Sequence, residues 1–207
     1  MILKLTEELK EVIGQFELEG ELLECIPYGS GHINDTYRLT YETGDGQTRY
    51  ILQRMNKSIF KNPQELMENI SGVTGWLREK IQKAGGDPQR ETLNLVKDKA
   101  GNPYYVDSQG EYWRVYLFIE GATSFDQVEN DEDFYQSAVA FGHFQRLLAD
   151  YPADTLHETI VNFHNTVDRM RLFKEALAAD VCGRAKDVQE EIKFVLDREE
   201  LAHVLCD

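Results

Sequence analysis

The sequence predicts an α+β protein, an antiparallel sheet carrying one capped helix and followed by a helical region. Strand-like runs separated by glycine turns fill residues 21–56, and a well-signalled helix start stands at Asn62-Pro63-Gln64-Glu65. After Gly121 the apolar pattern becomes helical throughout.

The 207 residues, 42% hydrophobic and 29% charged, suit one generous core or two small lobes and not a disordered or fibrous chain. The net charge of -15 repels phosphate backbones and anionic lipid, so nucleic acid and membrane surfaces are not expected as partners. Small anionic nucleotides stay compatible, because a local cluster of amides and cations outweighs a global field. Cys25, Cys182 and Cys206 form no C-x-x-C pair and no metal-ligand spacing, and read as reduced thiols. The opening stretch MILKLTEELKEVIGQF interrupts its apolar pattern with acids, and no later run reaches membrane-spanning length, so the expected location is cytoplasmic.

Taken in order, Leu5, Leu9, Val12, Ile13 and Phe16 recur at helical spacing and predict an amphipathic helix ending near Gly14 or Gly20. ELLECIPY, INDTYRLTY and TRYILQRM predict a three-stranded meander turned at Gly29-Ser30-Gly31 and Gly44-Asp45-Gly46. Asn62 as N-cap, Pro63 at the first helical position and Glu65 in a capping box begin a helix with Leu66, Ile70, Val73, Leu77 and Ile81 as its stripe, and Gly85-Gly86-Asp87-Pro88 stops it. TLNLV, PYYVD and EYWRVYLFI predict further hairpins. Asn130 then caps a helix interrupted at Tyr151-Pro152, a second runs from Asn165 or Thr166 to about Ala179, and a third carries Val188, Ile192, Val195, Ala202 and Leu205 on one face.

Three places are suited to chemistry. Gly29, Ser30, Gly31, His32 and Asn34 stand in a glycine-bearing turn between strands, where backbone amides can approach phosphate oxygens without a Cβ in the way. Taken alone, two glycines are better explained by an ordinary hairpin turn. The strand before the capped helix alternates Ile51 and Gln53 on one face with Leu52 and Arg54 on the other. In a kinase-like lobe that strand gives a cation to the phosphates and the next helix gives an orienting carboxylate, which nominates Gln53 or Arg54 and Glu65 or Glu68. Solvated helix charge is the plainer explanation of both glutamates. The third place is Phe118, Ile119, Glu120 and Gly121, where an apolar strand runs into a connector whose backbone edge can pair with adenine. A buried edge strand followed by a loop would look the same.

The stretches YGSGHINDTY, YILQRMN, FKNPQELMENI, GGDPQRETL, WRVYLFIEGATS, AFGHFQRLLADYP and LHETIVNFHNT together resemble the N-acetylhexosamine 1-kinase family, within the aminoglycoside phosphotransferase and choline kinase superfamily. The resemblance implies a protein-kinase-like fold, with a nucleotide-binding lobe over 1–118, a hinge at 119–122 and the start of a helical lobe over 123–207. It also implies ATP and magnesium as cofactors, and phosphorylation of the anomeric hydroxyl of an N-acetylated amino sugar. Such a kinase needs an H-x-D-x-x-x-x-N catalytic loop, and none of the five histidines here begins one. The sequence therefore reads as an N-terminal fragment without useful turnover, with the base and magnesium ligands expected beyond residue 207. Other readings are a non-catalytic nucleotide-binding module, or a kinase of the same fold acting on an aminoglycoside, choline-like or amino-acid alcohol acceptor. His164 and Asn165 are candidate acceptor-side residues, although Asn165 also suits a helix cap. Apolar stripes on the last helices would be covered in a complete kinase, so self-association is expected.

Overall fold

The computed structural model describes residues 5–123, 127–128, 130–204 and 206. They form a mixed α+β protein whose six strands make one antiparallel sheet. Helix α1, Glu7–Ile13, begins where Thr6 Oγ1 accepts from Leu9 N at 3.2 Å and ends at Gly14. Strands β1 (Glu21–Pro27), β2 (Asp35–Thr43) and β3 (Gly46–Arg54) are the expected meander. Gly46 carries a φ of 118° at the β2–β3 turn, a backbone that only glycine takes without strain.

Helix α2, Pro63–Lys83, has Asn62 as its cap and Pro63 in its first turn, as the sequence predicts. A short helix α3, Pro88–Glu91, follows where the sequence offers only a stop, because Asp87 Oδ1 caps it by accepting from Gln89 N at 2.9 Å. The next strands are shorter than expected. Strand β4 is reduced to Leu95–Val96, since Asn94 Nδ2 spends its hydrogens on the carbonyls of Pro88, Gln89 and Thr92 and fixes the preceding residues as a turn. Strand β5 is reduced to Tyr105–Val106 between two aspartate-centred turns. In these Asp98 accepts from Ala100 N and Asn102 N, and Asp107 accepts from Gln109 N and Glu111 N. Strand β6, Tyr112–Leu117, runs beside β3 with Gln53 opposite Arg114 and Ile51 opposite Tyr116, giving the order β1-β2-β3-β6-β4, with β5 also on β6.

The sheet has two unlike faces. Against α1 lies the core, where Val12, Ile13 and Phe16 pack with Cys25, Leu39, Tyr41, Tyr50, Leu52, Trp113 and Val115. The opposite face meets α2, whose buried Met67 places its Sδ 3.9 Å from Arg114 Nη1.

By contacts the chain divides into two compact units, 1–159 and 160–207, so the connector expected at 119–122 lies inside the first. The last α-helix of that unit is α4, Asp131–Leu148, capped by Asn130 and joined to α2 where Trp76 Nε1 donates to Leu147 O at 3.2 Å. Phe134, Tyr135, Val139, Phe141 and Phe144 on α4 are exposed. The second unit holds α5 (Thr166–Ala179) and α6 (Gln189–Leu196). The single last helix expected through Ala202 is broken. Arg198 Nη1 takes the Phe194 carbonyl at 3.0 Å and a 3-10 helix, Glu199–His203, follows, while Leu205 lies outside the described residues. Among the described residues no helix is long and apolar enough to cross a membrane.

Candidate functional site

The glycine stretch is a loop rather than a tight turn. Tyr28 N donates to Thr36 O at 2.9 Å and closes its base, and residues 29–34 bulge out beyond that bond. Ile33 and Asn34, expected to open the second strand, sit with His32 in this loop because β2 begins only at Asp35. Gly29 has a φ of 84°, so the loop's first turn is one that glycine favours. Asn34 is a clamp: its Oδ1 accepts from Asn56 N at 3.0 Å, and Asn56 Nδ2 donates back to Ile33 O at 2.9 Å. Gly29, Ser30, Gly31 and His32 make no hydrogen bond among the described residues and stand exposed.

The base of this loop touches the start of the connector. The Tyr28 ring meets the Phe118 ring edge-on at 5.6 Å, Arg49 lies 4.6 Å over Phe118, and Arg38 lies 5.9 Å over Tyr28. Strand alternation puts Arg38, Arg49, Ile51 and Tyr116 on this same α2-side face. Burial raises the Tyr116 phenol's pKa above its ordinary value, partly offset by the charge of nearby Arg114. In the connector, Glu120 pairs with Arg49 and its carbonyl accepts from Arg90 Nη1 at 2.6 Å. Gly121 follows with a φ of 68°. Ile119 is half-buried, and its backbone N–H and C=O bond to none of the described residues. Among the described residues this peptide edge has no backbone partner beside the aromatic pair.

Gln53 and Arg54 part company across the sheet. Arg54 turns to the α1 face, where Asp35 Oδ2 accepts from its Nε at 2.8 Å, Glu8 stands at 3.5 Å and the Trp113 ring at 5.7 Å. The hydrogen bond to Asp35 raises its pKa above the usual guanidinium value, so it is a cation already committed to acids. A polar cavity of about 450 Å³ lies beside it, lined by His32, Asp35, Asn56 and Lys57 among others, and Lys57 is likewise paired, with Glu111 at 2.8 Å. Gln53 turns to the α2 face. It donates Nε2–H to Thr36 Oγ1 at 3.0 Å and offers Oε1 to Arg114, whose Nε and Nη2 lie at 3.0 and 2.8 Å.

The remaining candidates lie elsewhere. Glu68 does not join Gln53 or Arg54; its carboxylate accepts from Gln64 Nε2 at 3.3 Å and meets His157 Nε2 at 2.8 Å. Asn69, beside it, holds the His157 backbone in both directions, at 2.8 and 2.9 Å. Glu65 contributes its backbone N–H to the Asn62 cap. In the second unit, Asn165 is the N-cap of α5, accepting from Asp168 N at 2.9 Å, and His164 stands edge-on to Phe163 at 4.7 Å.

Sequence reasoning missed Arg114 and Tyr28. Tyr28 had a signal, an aromatic abutting the glycine pair, while Arg114 was a charge at the outward position of a strand read only for its apolar residues. Among the described residues no group of three or more His, Cys, Asp or Glu side chains is set to hold a metal ion. No protein-family model matches this sequence.

Proposed function

We propose that this chain is the nucleotide-binding part of an ATP-dependent small-molecule kinase with a protein-kinase-like fold, in the manner of the N-acetylhexosamine 1-kinases. The observation that carries this reading is the contact between Tyr28, which leads into the glycine loop, and Phe118, which leads into the connector. Elements far apart in sequence thereby meet on one face of the sheet. At the connector end the aromatic rings and the Ile119 peptide suit a purine, which wants stacking and a backbone donor and acceptor at its edge. At the other end the unencumbered amides of the glycine loop suit phosphate oxygens.

The residues present bind and orient; they do not supply transfer chemistry. No H-x-D-x-x-x-x-N segment occurs among the 207 residues, so the reading looks for the base and the magnesium ligands that belong with such a loop beyond them. An amino-sugar acceptor and a cytoplasmic location belong to the same proposal. So does self-association through the exposed α4 residues Phe134, Phe141 and Phe144.

Calorimetric titration of the chain with ATP and with adenosine tests the nucleotide site. Both should bind, and Tyr28→Ala should weaken both alike because it removes stacking at the purine end. Absence of any heat for either nucleotide at millimolar concentration would sink the proposal. An acceptor panel of amino sugars, aminoglycosides and amino alcohols, run on a chain that includes the catalytic loop, separates the possible substrates.

A further inference from the structure

The arginines on the strands differ in one respect. Arg38 pairs with Glu24 at 2.9 Å, Arg49 with Glu120, and Arg54 with Asp35 and Glu8. Arg114 has no carboxylate within ion-pair distance among the described residues. Its partners are neutral: the Gln53 amide oxygen, which takes two of its donors, and the Met67 thioether at 3.9 Å. Burial lowers its pKa from the ordinary guanidinium value, as expected of a charge withdrawn from water without a counter-ion. Such a group costs free energy as it stands and is stabilised by any anion that reaches it.

The surroundings hold it ready. Gln53 is fixed by donating to Thr36, so its oxygen is turned toward Arg114 and the guanidinium plane is set by two hydrogen bonds. That leaves hydrogens on the Nη atoms for a second, planar partner, the arrangement arginine uses to fork onto phosphate. Arg114 shares its face with Phe118, four residues on, and the ladder continues to Phe118, whose N–H donates to Arg49 O at 3.0 Å. At ~3.3 Å per extended residue the two stand roughly 13 Å apart, comparable with the reach from a purine ring to the far end of its phosphates.

We propose that Arg114, gripped by Gln53, is the cation that receives the polyphosphate tail of the nucleotide. The sequence assigns that place to a side chain of strand β3, and the geometry divides it, with the charge on β6 and its positioning residue, Gln53, on β3. The inference rests on reading this face as a nucleotide site, and it gives Arg54 no part because Arg54 lies on the other side of the sheet.

The test titrates the whole chain with ATP, adenosine and sodium tripolyphosphate. Arg114→Met should lose ATP affinity by at least about tenfold, the worth of a charge-assisted pair, with adenosine affinity kept and tripolyphosphate no longer competing with ATP. Arg54→Met should leave the ratio of ATP to adenosine affinity unchanged. Gln53→Glu supplies the missing carboxylate, so it should lose ATP affinity to a similar degree while melting at a higher temperature than the wild type. A folded Arg114→Met chain with the wild-type ratio of ATP to adenosine affinity overturns the assignment and leaves the nucleotide site standing. If that variant does not fold, undiminished ATP binding by Gln53→Glu overturns the assignment instead. Wild-type chain that binds neither ATP nor adenosine ends both.

Discussion

The two faces of the sheet are built from the same strands and do opposite things. On the α1 side, Leu39, Leu52, Trp113 and Val115 are almost wholly withdrawn from water, and the cation at the margin, Arg54, is neutralised by Asp35 and Glu8. On the α2 side the neighbours of those residues, Thr36, Gln53, Arg114 and Tyr116, are polar and half-buried, and the first three are hydrogen-bonded in a row. The α1-side face is apolar throughout its centre, while the α2-side face sets this polar row beside the buried Ile51 and Met67. Period-two alternation lets a single strand serve both.

Substitutions on the two faces should therefore differ in what they cost in stability. The largest effect is expected from Trp113→Ala, which removes a side chain 1% exposed and strands Asp107, whose Oδ2 accepts from the indole N–H at 2.7 Å. A loss of about 3–5 kcal/mol should appear in urea denaturation. Gln53→Ala, on the opposite face, takes the acceptor from the Arg114 guanidinium and should cost less, about 1.5–3 kcal/mol. Equal losses from the two would break the distinction.

A smaller effect sharpens it through pH. Burial alone would raise the Asp107 pKa, but the Trp113 indole and the amides of Glu111 and Gln109 outweigh it and hold the carboxyl below its usual value. A folded-state pKa depressed in this way contributes stability that is complete above the unfolded value of about 3.9. The contribution fades as pH falls through the lower folded value. Unfolding followed by tryptophan fluorescence should show that loss, and Asp107→Asn should flatten it.

The smallest is a difference in rate. Cys25 lies in the α1-side core, and burial, helped by Glu24, pushes its thiol up to about 11, whereas Cys182 is exposed. At neutral pH, Cys182 should react with a thiol reagent at once and Cys25 only on unfolding. Fast labelling of Cys25 in the folded chain would mean that this face opens readily.

The order of elements was legible because its signals are local. Asn62-Pro63, Asn130 and Asn165 each announce a helix within four residues, and each caps one. Alternation also separated Gln53 from Arg54 correctly, though it did not say which side faced α2. What stayed hidden depends on pairing at long range. Arg114 acquires meaning only beside Gln53, 61 residues earlier, and Glu68 finds His157, 89 residues later, where the sequence offered it a strand cation. The lengths of β4 and β5 were lost for a different reason. Asn94, Asp98 and Asp107 use side-chain hydrogen bonds to hold turns where the run of β-forming residues predicts ladder.

The reciprocal amide clamp between Asn34 and Asn56 fixes how much disorder a ligand would have to remove. With the base closed at Tyr28 and Thr36 and the far root held at Ile33 and Asn34, the loosely held span is Gly29 to His32. At ~1–2 kcal/mol per backbone residue, freezing so short a tip costs a modest amount of conformational entropy. Asn56→Ala would remove the Nδ2 bond to Ile33 O while keeping the backbone N–H that Asn34 accepts, and loosening that one side of the root would enlarge the toll.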